Sequence, residues 1–84
     1  YWLARAGQDP AAWLARRADR VELVHVKDSA GPPDHRMTDV GAGTIPWASF
    51  LPAAMERGVR HAFVEHDDPA DPLASMRASA AALR

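Results

Sequence analysis

The sequence contains no cysteine, no long apolar run and no excess of charge of either sign. Without cysteine, disulfide bonds and thiolate chemistry are excluded, and a bound metal must be held by histidine and carboxylate side chains. No apolar run approaches the roughly 18 residues that a membrane-spanning helix needs, and no signal peptide is visible. The net charge of −1 provides no basic field that would attract nucleic acid.

The length of 84 residues is enough for one domain at most. The chain begins at Tyr1 without an initiator methionine, so we interpret its start as truncated and leave open a targeting segment upstream. A cytoplasmic location is the expectation. The arginines among residues 16–20 alternate with apolar positions, which is typical of a solvated helix face, and we prefer that interpretation to a phosphate-binding patch.

Two apolar runs predict buried strands of a parallel sheet. Residues 21–28 are rich in β-branched side chains, and the alternation of a strand places His25 and Lys27 on one face. Residues 61–67 repeat the pattern, with Glu65 on one face and His66 on the other. Each strand therefore delivers a polar, potentially metal-binding side chain near its carboxyl end.

Three helices are predicted around these strands. Asp9-Pro10 and Asp71-Pro72 each supply an N-cap followed by proline in the first turn, and Pro46 allows another first turn before a helix that ends at Gly58. Pro52 lies inside that middle helix and argues against its regularity. The final helix carries an apolar stripe formed by Leu73, Met76, Ala80 and Leu83.

The segment between the first strand and the middle helix is rich in glycine and proline and predicts a long loop. The element order is therefore helix, strand, helix, strand, helix, which indicates an α/β fold with two parallel strands. Two parallel strands leave both sheet edges open, so the chain resembles a piece of something larger, completed by a missing segment or by copies of itself.

His25 and Glu65 lie at matching depths near the carboxyl ends of strands joined by one crossover, where α/β sheets bind ligands. Imidazole plus carboxylate suits manganese, magnesium, cobalt or zinc. The alternatives are a hydrogen-bonded core histidine and a structural carboxylate. Lys27 lies nearer the carboxyl end of the strand, and we interpret it either as a substrate contact or as a solvated lysine.

The remaining candidates are weaker. His66 faces away from Glu65 and is interpreted as a helix-facing or loop residue. His35 and Arg36 lie in the long loop, where solvation competes with a substrate contact. The glycines of Gly41-Ala42-Gly43 allow backbone amides to approach an anion, although a plain turn is the preferred interpretation. Trp47 is expected to pack rather than to stack on a sugar.

Five short motifs follow one another in a fixed order along essentially the whole chain. They are Tyr1-Trp2 with Ala6-Gly7-Gln8-Asp9-Pro10, then Val24-His25-Val26-Lys27-Asp28, then Asp39-Val40-Gly41-Ala42-Gly43-Thr44-Ile45-Pro46-Trp47, then Phe63-Val64-Glu65-His66-Asp67, and last Asp71-Pro72-Leu73. This ordered string resembles the C-terminal part of the sugar phosphate isomerase/epimerase family, which has the xylose isomerase-like TIM-barrel fold.

The resemblance implies that residues 1–84 are a single partial domain, the C-terminal third of a (β/α)8 barrel, which takes roughly 250 residues in full. It implies a divalent metal (Mn, Mg, Co or Zn) with His25 and Glu65 as ligands, and a sugar or sugar phosphate as substrate. Glu65 would also move a proton next to the substrate carbonyl through an enediolate, and Lys27 would contact the substrate. A further Glu and Asp ligand would lie on strands that precede Tyr1.

Three interpretations compete. Isomerase or epimerase activity depends on the missing N-terminal strands being supplied, and without them the chain is a non-catalytic truncated fragment or a self-associating remnant of the fold. A function in DNA repair is a further alternative, because endonuclease IV has a similar barrel. It is disfavoured, since that enzyme needs more histidine and aspartate ligands and a basic groove.

Overall fold

A computed structural model describes all residues from 1 to 84. In chain order it contains helix α1 (Trp2–Arg5), helix α2 (Pro10–Arg17), a 3-10 turn (Ala18–Arg20), strands β1 (Leu23–Val26), β2 (Asp28–Ser29) and β3 (Met37–Thr38), helix α3 (Trp47–Glu56), strand β4 (His61–Val64) and helix α4 (Pro72–Ala82). None of these helices combines the length and the apolar character that crossing a membrane requires.

Strands β1 and β4 form the parallel pair that the sequence predicts, which confirms the α/β class. Leu23 lies opposite His61, and His25 lies opposite Phe63. One face of the pair packs on a core to which α2 and α3 contribute, and Val26 is fully buried there. The core residues are Leu14, Val26, Val40, Ile45, Trp47, Phe50, Ala54 and Val59.

The Asp-Pro helix starts are confirmed. The Asp9 carboxylate accepts hydrogen bonds from the Ala11 and Ala12 amides, and Asp71 caps α4 in the same way. Helix α3 is followed by Gly58 at a φ of +104°, which glycine adopts at little cost. Pro46 is the N-cap of α3 rather than part of its first turn, and the helix continues through Pro52.

The expectation of a strand running to Asp28 and then of an irregular loop is wrong in part. The parallel strand ends at Val26, and Asp28–Ser29 pairs antiparallel with Met37–Thr38 instead. A tight turn makes this pairing possible, because the His35 amide donates to the Gly31 carbonyl at 3.0 Å. Together with the short helix α1, this hairpin adds elements that the predicted order lacks.

Most of the apolar stripe of the final helix faces outward, and of its four residues only Leu83 is partly buried against the core. Leu73 and Met76 are 65% and 67% exposed, whereas Ser75 and Ser79 are buried. The serines face inward because their hydroxyls have partners there: Ser75 contacts Asp39, and the Val40 amide donates to Ser79 Oγ at 3.1 Å. Small side chains also allow α4 to approach closely, so that a Cβ added at Gly41 would collide with Ala82.

We expect Ser79→Ala to lower the free energy of unfolding by about 1–3 kcal/mol, because the buried Val40 amide loses its acceptor. Urea denaturation followed by circular dichroism measures the change. Ser49→Ala is the matched control, since Ser49 is exposed and its hydroxyl bonds only the neighbouring Pro46 carbonyl. Equal stability of the two variants would contradict this role for Ser79.

Candidate functional site at the carboxyl ends of the parallel strands

The structure brings His25 and Glu65 into direct contact. His25 lies on β1, Glu65 follows β4 immediately, and the Glu65 amide donates to the Val26 carbonyl at 3.0 Å, which extends the strand pairing. His25 Nδ1 and Glu65 Oε2 are then in hydrogen-bond contact. The parallel register therefore converts two residues 40 positions apart into one convergent pair of donors.

Lys27 joins this pair through the other carboxylate oxygen. Its Nζ lies 3.1 Å from Glu65 Oε1, and 2.8 and 3.0 Å from the two Asp67 oxygens. The same Nζ lies 5.7 Å from the ring centroid of Trp2, within the range of a cation–π contact. With only 9% of its side chain exposed, Lys27 is not a solvated strand-end lysine.

These contacts fix the charges of the site. The His25 imidazole and then the Lys27 ammonium lower the pKa of the Glu65 carboxyl below its ordinary value. The Asp67 carboxylate raises the pKa of Lys27, and Glu65 adds to that effect, while burial acts against it. At neutral pH, Glu65 is therefore an anion and Lys27 a cation.

The face of the sheet that carries His25 is open. Leu23 and Phe63 are 55% and 50% exposed on this face, and the side chains of His25 and Glu65 are 65% and 36% exposed. The Phe63 ring lies 5.9 Å from the His25 ring, centroid to centroid. A ligand or a further protein segment can therefore reach the His25–Glu65 pair from the side opposite the core.

The donor set fits two positions of a metal site. A neutral imidazole nitrogen and an ionised carboxylate oxygen are ligands for Mn, Mg, Co or Zn, and here one atom of each kind lies in direct contact with the other. No group of three or more histidine, cysteine, aspartate or glutamate side chains in the chain is arranged to hold a metal ion. The chain by itself thus offers two candidate ligands at this position and no third one beside them.

The glycine-rich segment 41–43 binds an anion, but the anion belongs to the protein. One oxygen of the buried Asp28 carboxylate accepts from the Gly41 and Gly43 amides at 2.9 and 3.2 Å. The other accepts from the Ser29 and Ile45 amides at 2.8 and 3.2 Å. The close packing also requires glycine, because a Cβ at position 43 would overlap the carboxylate. The segment therefore both makes a turn and binds an anion.

His66 faces away from Glu65, as its place in the strand predicts. Its Nδ1 lies 3.2 Å from Ser75 Oγ on α4 and 3.3 Å from Asp39 Oδ1. This group forms one wall of a cavity of about 610 Å³ that Asp67 and Asp71 also line. Since Asp67 contacts Lys27 as well, the cavity adjoins the His25–Glu65–Lys27 site.

The other candidate residues lie outside the site and contact other parts of the protein. Trp47 is buried and packs edge-on against Phe50 at 5.4 Å, as expected. The His35 carbonyl accepts from the Tyr1 hydroxyl at 2.8 Å, and Arg36 is exposed at the edge of the cavity. Sequence reasoning missed Asp28, Asp67 and Trp2 as partners within or beside the site. The Asp67 carboxylate, two residues beyond Glu65, was the signal that could have been used.

Comparison of the chain with models of known protein families, with curated proteins and with solved structures finds no match in any of the three. The arguments for a function therefore come from the residues and their geometry, together with the motif resemblance described above.

Proposed function

We propose that this chain is the C-terminal segment of a divalent-metal-dependent sugar or sugar phosphate isomerase or epimerase with a TIM-barrel fold. The observation that supports it most directly is the convergence of His25 Nδ1 and Glu65 Oε2 at the carboxyl ends of adjacent parallel strands. This is the end of a barrel at which catalytic sites lie. The chain supplies two ligands, and the other strands and carboxylates come from a further segment or from copies.

In this proposal the metal ion, Glu65 and Lys27 have different roles. When bound, a divalent ion supplies polarisation of the carbonyl and hydroxyl oxygens of the sugar. Glu65 is held ionised by His25 and Lys27, which suits a ligand, and its carboxylate is the group that accepts and returns the proton next to the carbonyl. Asp67 holds the Lys27 ammonium beside Glu65. Lys27 can therefore contact only a substrate oxygen that lies close to the Glu65 carboxylate.

The open sheet supports the need for further strands. The sheet has two strands, so each has an outer edge with no strand partner, and the exposed face carries Leu23 and Phe63. In a closed barrel this face is the interior, filled by side chains from neighbouring strands. Completing the barrel would cover the apolar side chains and leave the polar carboxyl end at the mouth.

A non-catalytic, self-associating remnant of the same fold is the second candidate. The observation that favours it is the same apolar face, because exposed apolar patches promote association between proteins. In that case the copies cover Leu23 and Phe63, and His25 with Glu65 form only a surface ion pair.

Native mass spectrometry with and without added Mn²⁺ tests the proposal. We expect a particle heavier than the 9.1 kDa chain that retains Mn²⁺, because the two ligands of the chain need further donors to complete a site. A metal-free particle at the mass of one chain would contradict the proposal. A metal-free oligomer would favour the self-associating remnant.

A further inference from the structure

The ammonium of Lys27 is contacted by residues from opposite ends of the chain. The carboxylates of Glu65 and Asp67 follow β4 and lie 3.1 and 2.8 Å from its Nζ. Trp2 belongs to α1, and its ring centroid lies 5.7 Å from the same atom. Two carboxylates and one indole therefore contact a single cation.

These three partners are more open to solvent than the lysine that they contact. Only 9% of the Lys27 side chain is exposed, whereas the side chains of Glu65 and Asp67 are 36% and 44% exposed and Trp2 is 60% exposed. The face of an indole attracts a cation, and the attraction strengthens where water is excluded. Of the three partners, only Trp2 can both cover the ammonium with an apolar surface and attract it.

The indole of Trp2 is itself held in place by Tyr1. The two rings meet edge to face, with centroids 4.7 Å apart and planes at 85°. Tyr1 is buried, and its hydroxyl donates to the His35 carbonyl at 2.8 Å and accepts from Arg5 at 3.0 Å. The Arg5 guanidinium also lies 5.8 Å from the Trp2 ring centroid. A chain of contacts therefore runs from the hairpin turn through both rings to Lys27.

A lysine needs contacts of this kind if its ammonium is to occupy one position. The ammonium is a point charge on a flexible four-carbon stem, and its donors rotate. Glu65 and Asp67 are separated by one residue at the end of the same strand, so both contacts depend on the placement of one segment. The contact with Trp2 comes from a different element and restricts the motion that the carboxylates allow.

Resting on the proposed function, we propose that Trp2 is a positioning residue that acts through Lys27. Its indole holds the ammonium beside Glu65 and so sets where Lys27 meets a substrate oxygen. Without the indole, Lys27 keeps its carboxylate partners but moves between them. The fold does not depend on the indole, because Trp2 is mostly exposed and lies outside the hydrophobic core.

Lys27 is the only lysine of the chain, so NMR of protein labelled with ¹³C-lysine observes its side chain alone. In the unaltered protein we expect the Cε group to be ordered and its signal to be shifted by the ring current of Trp2. In Trp2→Leu the shift should be lost, and the order parameter should fall below about 0.6, the range of flexible groups. Trp2→Phe keeps a ring face and should retain most of the order.

An ordered Lys27 in Trp2→Leu would overturn the inference. Equal loss of order in Trp2→Leu and Trp2→Phe would also overturn it, because the ring face would then contribute nothing. Trp13→Leu is the matched control, since both cations found over an indole lie over Trp2, whereas Trp13 belongs to α2. Lys27 should stay ordered in this control, and a loss of order there would assign the effect to a general loosening of the protein.

Mn²⁺ binding separates this inference from the proposed function. We expect Trp2→Leu to bind Mn²⁺ like the unaltered protein, because Trp2 contacts Tyr1, Arg5 and Lys27, none of which is a proposed ligand. A loss of Mn²⁺ affinity in Trp2→Leu would overturn the inference, since Trp2 would then act on the metal site. If the unaltered protein binds no Mn²⁺, the proposed function is contradicted, and the order of Lys27 still decides whether Trp2 holds it.

Discussion

Replacing Asp28 by alanine is expected to unfold the protein or to lower its free energy of unfolding by about 3–5 kcal/mol. Four backbone amides, on Ser29, Gly41, Gly43 and Ile45, lose their acceptor at once. Asp28 and Ile45 are buried, so water cannot replace the carboxylate without opening the loop. Small domains have a free energy of unfolding of only about 5–15 kcal/mol, so the loss is a large part of the total.

Urea denaturation followed by tryptophan fluorescence measures this loss, because Trp47 lies in the same core as Ile45. Asp28→Asn distinguishes charge from shape. Each carboxylate oxygen accepts two amides, so the amide group of asparagine would point its own hydrogens at two donors, and we expect most of the destabilisation to remain.

The control for Asp28 is Asp34→Ala in the same loop. Asp34 is exposed and accepts one hydrogen bond, from the Arg36 amide at 3.3 Å. We expect its stability change to stay within about 0.5 kcal/mol. A similar effect of both substitutions would mean that the Asp28 carboxylate does not organise the loop.

Asp28 also illustrates what a single sequence leaves hidden. The glycines at positions 41 and 43 indicate that backbone amides are accessible, and an anion is one natural partner for them. Asp28 is 13 and 15 residues away from these glycines, and nothing local links them. The pairing depends on the turn at residues 31–35, which brings the hairpin back on itself, and a pattern of residue types does not fix that geometry.

Neighbouring residues predict well where a helix begins, but they predict less well which face of the helix packs against the core. The Asp9-Pro10 and Asp71-Pro72 pairs locate two helices because capping involves only neighbouring residues. The stripe of α4 shows which side chains share a face, but periodicity does not decide which face turns inward. Partners elsewhere decided it, since Asp39 and the Val40 amide bind the serines.

The convergence of His25 and Glu65 lies between these cases. Strand alternation and parallel pairing predict that both lie near the carboxyl ends, which the register bears out. The ion pairs of Lys27 with Glu65 and Asp67 could not be predicted in the same way. They depend on how far along the strand each side chain lies and how far it reaches, and the alternation alone does not give that. The sequence therefore predicts where the polar cluster lies, at this end of the sheet, but only some of the contacts within it.

Replacing Glu65 by alanine is expected to reduce the Mn²⁺ affinity of the assembled protein by at least about 100-fold. Glu65 is the only anionic side chain in contact with His25, and an imidazole alone is a weak ligand for Mn²⁺. The fold should survive, because Glu65 is partly exposed and Lys27 keeps its ion pair with Asp67. Electron paramagnetic resonance of free Mn²⁺ measures the affinity, and circular dichroism verifies the fold.

Matched controls make this result specific to the site. Glu22→Ala removes an exposed carboxylate just before the opposite end of β1, and His61→Ala removes an exposed imidazole at the amino end of β4. Both should bind Mn²⁺ like the unaltered protein, whereas His25→Ala should behave like Glu65→Ala. If Glu65→Ala retains full affinity, the ligand assignment is wrong, and the His25–Glu65 contact is then a surface ion pair of the kind that contributes about 0–1 kcal/mol and binds nothing.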